Sequence, residues 1–294
     1  MRLPDSRCGL RCTGCGWKDA CGCGGCIETM GHPFHGECPI ALCCQQKGYT
    51  HCGACDIMPC EQLYTYSYLD PEHGDKPPGA RVEVCRRWAA ENGLQAWTNV
   101  LLTSAGFADF DGTPKPRIID RFLRMLEKPA AQARVLFVTT AANDDFTKQI
   151  AAWGRRDLVN IGIPAENIDA YDIDGHMTLE RAMRYDVIYF TGGDTDYLLR
   201  RVNETGFDAI VKKMVYANKV YVGVSAGSLI ATPFDRAVPY RKDKAGLCFI
   251  HTFLSVHYLS ADAPEGSPAP LPHISITDDQ ALAVSWAGYE VLEG

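Results

Sequence analysis

Residues 220–231 read Val-Tyr-Val-Gly-Val-Ser-Ala-Gly-Ser-Leu-Ile-Ala. The apolar start predicts the end of a buried strand, and residues 228–231 predict the first turn of a helix that Pro233 would end. Between them lies Gly-x-Ser-x-Gly, which is typical of a tight strand-to-helix turn holding a serine in a strained backbone conformation. The segment therefore predicts an α/β fold with Ser225 as a candidate nucleophile, although such a turn can also be purely structural.

Short apolar runs alternate with amphipathic stretches on both sides of this segment. The predicted strands are residues 99–104, 134–139, 167–171, 187–190 and 220–224, and the predicted helices are 117–127, 146–158, 179–183, 197–202 and 208–217. Such alternation, with nearly continuous apolar strands, predicts a parallel, doubly wound sheet covered on both faces. Residues 274–277 and 282–285 are predicted to be two closing strands, with a turn over 286–288.

The composition predicts a folded protein with two domains. The chain has 294 residues, of which 46% are hydrophobic and 22% charged, which is enough for a sizeable core. Twelve of the 14 cysteines lie in the first 60 residues and mark a separate module. Residues 70–80 are rich in turn formers and lead into a predicted helix over 81–92 that Gly93 would end. We place a Cys-rich domain at 1–95 and an α/β domain at 96–294.

Charge and hydropathy limit the classes of partner. The net charge of -7 offers no basic field for a phosphate backbone, so we expect no nucleic-acid partner. The start of the sequence has no apolar signal region, and no run approaches the ~18–20 apolar residues that span a bilayer. We therefore expect a cytoplasmic protein without a membrane partner. The oligomeric state is left open.

Paired thiols dominate the first 60 residues. In a reducing compartment, spacings such as Cys23-x-x-Cys26 and Cys52-x-x-Cys55 are typical half-sites for tetrahedral zinc. The candidate metal ligands are Cys8, Cys12, Cys15, Cys23, Cys26, Cys38, Cys43, Cys52, Cys55 and Cys60. Thiolates also suit an iron–sulfur cluster, and buried reduced cysteines acting as small apolar residues are the structural alternative. Residues 7–90 resemble a cysteine-rich domain of unknown function that is widespread in bacteria and archaea, a resemblance that implies no activity.

A second glycine turn follows the predicted strand 187–190. In Thr191-Gly-Gly-Asp-Thr195 the backbone would emerge at the carboxyl edge of the sheet, where open α/β folds place their ligands. The N–H groups of Gly193 and Ala226 are therefore candidate donors to an oxyanion. The alternative is a structural turn capped by Asp194 or Thr195.

A hydrolytic serine needs a base and a group to orient it. Among His176, His251, His257 and His273, we favour His257, because residues 253–256 read as a strand that delivers it to a loop downstream of the nucleophile. The orienting carboxylate could be Asp278, Asp279 or Asp235, and the residues alone do not rank them.

From about residue 98 onward, these pieces resemble the aspartyl dipeptidase (peptidase E) family of serine peptidases, to which cyanophycinase is related. The matching segments are 190–195, 223–228, 256–258 and 282–284, in the family's order. The resemblance implies a sandwich related to glutamine amidotransferases, with Ser225 as nucleophile, His257 as base and a carboxylate at Asp278 or Asp235. It also implies a small peptide substrate, with dipeptides that carry an amino-terminal Asp as one such class, and no catalytic cofactor.

The chain departs from that family between His257 and Asp278. Residues 263–272 are short and proline-rich where the resemblance would place a helix and substrate contacts. Arg236, Arg241 and Lys242 are the basic residues that could bind a substrate aspartate. Two other functions stay open: an esterase or amidase that uses the same serine, and a metal-dependent regulatory protein with a catalytically silent α/β domain.

Overall fold

A computed structural model describes residues 6–55, 57–72, 74–91, 99–174, 176–233, 246–250, 252–259, 273–285 and 288–294. The chain divides into two compact units, Met1–Ala96 and Trp97–Gly294. Within the described ranges, no helix combines the length and the apolar character needed to cross a membrane.

The smaller unit is helical. Its helices are α1 (Gly16–Ala20), α2 (Gly25–Glu28), α3 (Pro39–Gln46), α4 (Glu61–Tyr64), which continues into a π-turn at Thr65–Leu69, and α5 (Ala80–Glu91). Four cysteines, Cys8, Cys44, Cys52 and Cys85, lie in its buried apolar cluster beside aliphatic residues such as Leu63. The predicted helix over 81–92 corresponds to α5, and Gly93 lies outside the described residues. Thiols thus supply much of a small core.

The larger unit is built on a seven-stranded sheet. Its strands are β1 (Val100–Thr103), β2 (Val135–Val138), β3 (Ile168–Tyr171), β4 (Val187–Phe190), β5 (Val220–Val224), β8 (Gln280–Ser285) and β9 (Gly288–Glu293). Their order across the sheet is β3-β2-β4-β5-β1-β8-β9. The first five in chain order run parallel, and β8 and β9 add two antiparallel strands at one edge. The predicted parallel α/β sheet is confirmed as a mostly parallel one.

Helices follow the parallel strands and cover the sheet. They are α6 (Pro116–Leu126), α7 (Asp145–Asn160), α8 (Leu179–Ala182), α9 (Thr195–Glu204), α10 (Phe207–Tyr216) and α11 (Ala226–Leu229). Two apolar clusters use alternate side chains of the same strand: Val100 and Leu102 pack into one, and Leu101 packs into the other. Because side chains alternate along a strand, the sheet is buried on both faces.

One predicted closing strand was wrong. The segment predicted at 274–277 forms β7 (His273–Ser275), which pairs with β6 (Phe253–Ser255) in a separate two-stranded sheet. A turn closed by the Gln280 N–H and the Thr277 carbonyl at 3.1 Å then leads the chain into β8. The strand that closes the large sheet is β9. The sequence predicted a turn over 286–288 but no strand after it. Strand β9 lies at an edge and is mostly exposed, so it lacks the apolar pattern of a buried strand.

Candidate active site

Ser225 lies between β5 and α11 in a strained conformation. Its φ of 48° and ψ of -108° fall in a region that L-residues rarely adopt, at a cost of about 1–3 kcal/mol. The flanking glycines make the turn possible. A Cβ at Gly223 would lie 2.5 Å from the Gly227 carbonyl oxygen, and a Cβ at Gly227 would lie 2.6 Å from the Phe190 Cβ. The turn therefore requires glycine on both sides of the serine.

A hydrogen-bonded chain joins Ser225 to a carboxylate through His257. His257 Nε2 lies 2.9 Å from Ser225 Oγ, and His257 Nδ1 lies 2.7 Å from Asp278 Oδ1. Of the three predicted carboxylates, Asp278 is the one that contacts His257. Its neighbour Asp279 is exposed, and Asp235 lies outside the described residues. The arrangement has the connectivity of a nucleophile, a general base and an orienting acid.

Ser104, which the sequence reasoning missed, connects the base and the acid. Its hydroxyl donates to Asp278 Oδ1 at 2.7 Å and accepts the backbone N–H of His257, also at 2.7 Å. His257 has a φ of 58°, and this backbone hydrogen bond helps to hold it there. Ser104 directly follows β1, which pairs with β5, so a polar residue at the carboxyl end of a strand beside the elbow was the available signal.

The environment of Asp278 favours its ionised form. Burial opposes ionisation, but hydrogen bonds from Ser104 and His257 and the positive charge of nearby Lys115 outweigh it and lower the pKa of Asp278. Lys115 is itself buried; its ammonium donates to the Asp278 carbonyl oxygen at 2.6 Å and lies 3.1 Å from Asp109. A carboxylate that stays charged can stabilise an imidazolium beside it.

The second glycine turn lies against Ser225. A Cβ at Gly192 would be 3.2 Å from Ser225 Cβ, and a Cβ at Gly193 would be 2.0 Å from the Ala141 carbonyl oxygen. Gly193 also has a φ of 135°, so the turn needs glycine there. Asp194 accepts the Tyr197 N–H at 2.9 Å and caps α9, as the structural alternative expected. The Ala226 N–H is the first of α11, where no intrahelical acceptor is available. Ala226 directly follows the serine and Gly193 directly follows the Gly192 that packs against it, and the role of their N–H groups as oxyanion donors stays a prediction.

Comparison with known proteins assigns this part of the chain to a family. The model of peptidase family S51 matches residues 100–262, more than half of the chain. The chain belongs to peptidase family S51. The S51 match includes Ser225 and His257, and Asp278 lies beyond its end. S51 is a family of peptidases, which is the class of enzyme that the sequence predicted.

Listeria and Pasteurella proteins are among the relatives of this S51 chain. An uncharacterised peptidase of Listeria monocytogenes is 33% identical over 100 residues, 34% of this chain and 48% of that protein. One from Pasteurella multocida is 23% identical over 168 residues, 51% of this chain and 81% of the relative. The chain thus aligns with about half the length of its Listeria relative. A crystal structure of a Listeria monocytogenes EGD-e protein described as a peptidase E candidate matches with a TM-score of 0.52 and 22% identity, covering 68% of this chain and all of the other, which shows a shared fold.

Two other candidate histidines among the described residues, His273 and His176, make different hydrogen bonds. His273 begins β7, where its Nε2 lies 2.8 Å from Ser255 Oγ. His176 is exposed, and its backbone N–H donates to Asp174 at 2.8 Å. His251, together with the basic candidates Arg236, Arg241 and Lys242 and the proline-rich segment 263–272, lies outside the described residues.

The cysteine-rich unit lies outside the S51 match. All 14 cysteines of the chain fall within the described residues, and they are reduced rather than paired in disulfides. Four predicted ligands, Cys43, Cys52, Cys55 and Cys60, line one small cavity together with Lys47. Burial raises the pKa of the Cys8 thiol to about 12, so without a metal it is a protonated core residue. No three Cys, His, Asp or Glu side chains of the described residues converge closely enough to hold an ion. Metal binding by the ten cysteines therefore stays a prediction.

Proposed function

We propose that the protein is a serine peptidase that hydrolyses small peptides. The observation that carries this proposal is the continuous chain of hydrogen bonds from Ser225 through His257 to Asp278, with distances of 2.9 and 2.7 Å. Family membership supports it independently.

In the proposed mechanism, Ser225 Oγ attacks the carbonyl carbon of the scissile bond while His257 Nε2 takes its proton. The N–H groups of Gly193 and Ala226 stabilise the negative charge that develops on the carbonyl oxygen. The imidazolium, oriented by Asp278, then donates its proton to the leaving amine. Water, deprotonated by His257, releases the acyl group in the reverse sequence. No cofactor is required for these steps.

The resemblance to aspartyl dipeptidases adds a narrower proposal, that dipeptides with an amino-terminal Asp are substrates. A substrate aspartate needs a cation. Lys115 is close to the site, but its ammonium already contacts Asp109 and the Asp278 carbonyl. The basic residues that could serve, Arg236, Arg241 and Lys242, lie outside the described residues.

Active-site labelling and hydrolysis assays test the mechanism together. We expect a fluorophosphonate to label Ser225 and a panel of dipeptides to be hydrolysed. Ser225→Ala should lose both activities, whereas Ser285→Ala, a change to a serine outside the site, should keep them. Equal turnover by wild type and Ser225→Ala would refute the proposal. Rapid turnover of esters without turnover of any peptide would instead identify an esterase on the same serine.

We also propose that the cysteine-rich unit binds zinc or an iron–sulfur cluster. The cavity that Cys43, Cys52, Cys55 and Cys60 line supports the proposal, and these side chains would have to move closer together to hold an ion. Elemental analysis of the purified full chain should find zinc or iron in near-stoichiometric amount. Cys55→Ser should lower the metal content, whereas Cys21→Ser, at an exposed cysteine, should not. Purified protein that contains neither zinc nor iron, and whose melting temperature does not change when either metal is added, would refute the proposal.

A further inference from the structure

A narrow cleft lies directly beside the proposed nucleophile, in the larger unit. Gly192 and Val224 line one side of it, and each adjoins Ser225: Val224 in sequence, and Gly192 because a Cβ there would lie 3.7 Å from Ser225 Oγ. The cleft continues between the loop after β1 and helix α7. We call it the Asp157 cleft; its other walls include Phe110, Trp153, Asp157, Tyr189 and Thr191.

Two polar groups in the Asp157 cleft are poorly compensated. Asp157, on α7, is only 8% exposed, and its ion-pair contact is the half-exposed guanidinium of Arg156 at 3.9 Å. Thr191 is 2% exposed, and its hydroxyl has no hydrogen-bond partner among the described residues. Buried polar groups normally have partners, because each unsatisfied one costs roughly 1–3 kcal/mol. A bound group with several N–H donors would supply what both lack.

The walls of the cleft suit a slender cationic group. Its free volume of about 40 Å³ is room for roughly three water molecules. An ammonium on an unbranched stem fits such a space better than a branched or ring-bearing side chain. Aromatic rings line the approach: Phe110 and Trp153 form an edge-to-face pair with centroids 6.0 Å apart. Ring faces attract cations, so apolar walls around a buried carboxylate match an alkylammonium.

We propose that the Asp157 cleft is the specificity subsite of this peptidase and takes the side chain of a lysine-type residue that supplies the attacked carbonyl. This inference rests on the proposed serine peptidase function and names its substrate class. A substrate aspartate would bring its carboxylate towards Asp157 and Asp109, and like charges repel. The lining holds two carboxylates and the single half-exposed guanidinium of Arg156, so the cleft favours the charge opposite to that of an aspartyl substrate. Lysyl dipeptides then take the place of the aspartyl dipeptides that the family resemblance alone proposes.

The test compares lysyl, norleucyl and aspartyl dipeptides that share one leaving residue. Norleucine has the same unbranched stem as lysine without the ammonium, so the comparison isolates the charge. In the wild type, kcat/KM should be at least ~30-fold higher for lysyl than for norleucyl substrate, and higher than for aspartyl substrate. Asp157→Asn should remove most of this preference and leave norleucyl turnover within about threefold of wild type. Asp145→Asn, an exposed change on the same helix, is the matched control.

A second measurement does not depend on the variant's folding. Butylammonium should competitively inhibit norleucyl turnover by the wild-type protein, while butanol should not. Equal turnover of lysyl and norleucyl substrates, preference for aspartyl substrates, or no inhibition by butylammonium would overturn the inference even where Ser225-dependent hydrolysis stands. If Asp157→Asn lowered kcat/KM equally for norleucyl and lysyl substrates, the α-amino group rather than the side chain would occupy the cleft. That result would also overturn the inference. Absence of Ser225-dependent hydrolysis for every peptide would instead reject the proposed function itself.

Discussion

Replacing Ser104 by alanine tests whether the support of His257 and Asp278 matters for catalysis. The change removes the hydrogen bond donated to Asp278 Oδ1 and the one accepted from the His257 N–H, both 2.7 Å long, and a longer contact of 3.3 Å with His257 Nδ1. A hydrogen bond to a charged group contributes ~1.5–3 kcal/mol. Because the Asp278 side chain is 41% exposed, solvent screening places the effect at the lower end, about 1.5 kcal/mol. This corresponds to a loss of about tenfold in kcat/KM.

The assay is steady-state hydrolysis of a small peptide by Ser104→Ala, with Ser104→Thr as the variant that keeps a hydroxyl and Ser285→Ala as the control. We expect Ser104→Thr to recover part of the lost kcat/KM and Ser285→Ala to match wild type. Ser104→Ala should also lower Tm by a few degrees, on the order of 3 °C for a domain of this size. Wild-type kcat/KM together with that lower Tm would show that Ser104 is only structural, and would refute the reasoning.

The same variant has a defined pH signature. The hydrogen bond from Ser104 helps to lower the pKa of Asp278, so this carboxylate stabilises the folded state above its ordinary pKa. That stabilisation is lost as the pH falls through the lowered folded value. Without Ser104 the pKa of Asp278 rises towards its ordinary value, so the contribution is smaller and its loss is complete at a higher pH. Urea midpoints measured between neutral and acidic pH should show this shift, and identical curves for variant and wild type would contradict it.

Three further changes follow from the geometry. Asp278→Asn should lower kcat by about 10³–10⁴-fold with a small change in KM, whereas Asp279→Asn, at its exposed neighbour, should stay near wild type. Gly227→Ala should lower Tm by several degrees or prevent folding, because its Cβ would lie 2.6 Å from Phe190 Cβ; Gly16→Ala, with open space around it, is the control in thermal melts. Gly193→Ala should strongly reduce fluorophosphonate labelling of Ser225, because a Cβ there would lie 2.0 Å from the Ala141 carbonyl oxygen and shift the turn; unchanged labelling would contradict this.

Short stretches of sequence predicted the elements whose structure depends on their own residues, namely the turn at Ser225 and the buried strands. The turn at Ser225 could be predicted because its strain requires small flanking residues. Strands β1, β2, β4 and β5 could be predicted because burial on both faces leaves apolar runs. Strand β9 carries no such run, since it is an exposed edge. The pairing of β7 with β6 could not be predicted either, because an apolar run does not specify its partner strand.

The candidate site likewise contains some residues that the sequence could predict and others that it could not. His257 could be predicted from its position after a strand, but the choice among Asp278, Asp279 and Asp235 could not, because it depends on how the chain turns after β7. The cysteine spacings predicted which thiols are candidates for metal binding. They did not predict that Cys8 and Cys52 would be buried in an apolar cluster, since spacing does not distinguish a ligand from a small core residue.

Ser104 shows why the support of a site is harder to predict than its reacting groups. Two residues at the end of β1 form hydrogen bonds to the strained Ser225 and His257. The Thr103 carbonyl accepts the Ser225 N–H at 3.1 Å, and the Ser104 hydroxyl accepts the His257 N–H at 2.7 Å. Ser225 and His257 both have positive φ values, of 48° and 58°, which neither residue would keep without such contacts. Because β1 pairs with both β5 and β8, one dipeptide fixes the nucleophile, the base and the acid relative to one another. Groups brought together from positions more than a hundred residues apart leave no local pattern, yet this preorganisation is what lets Ser225 and His257 meet at reacting distance.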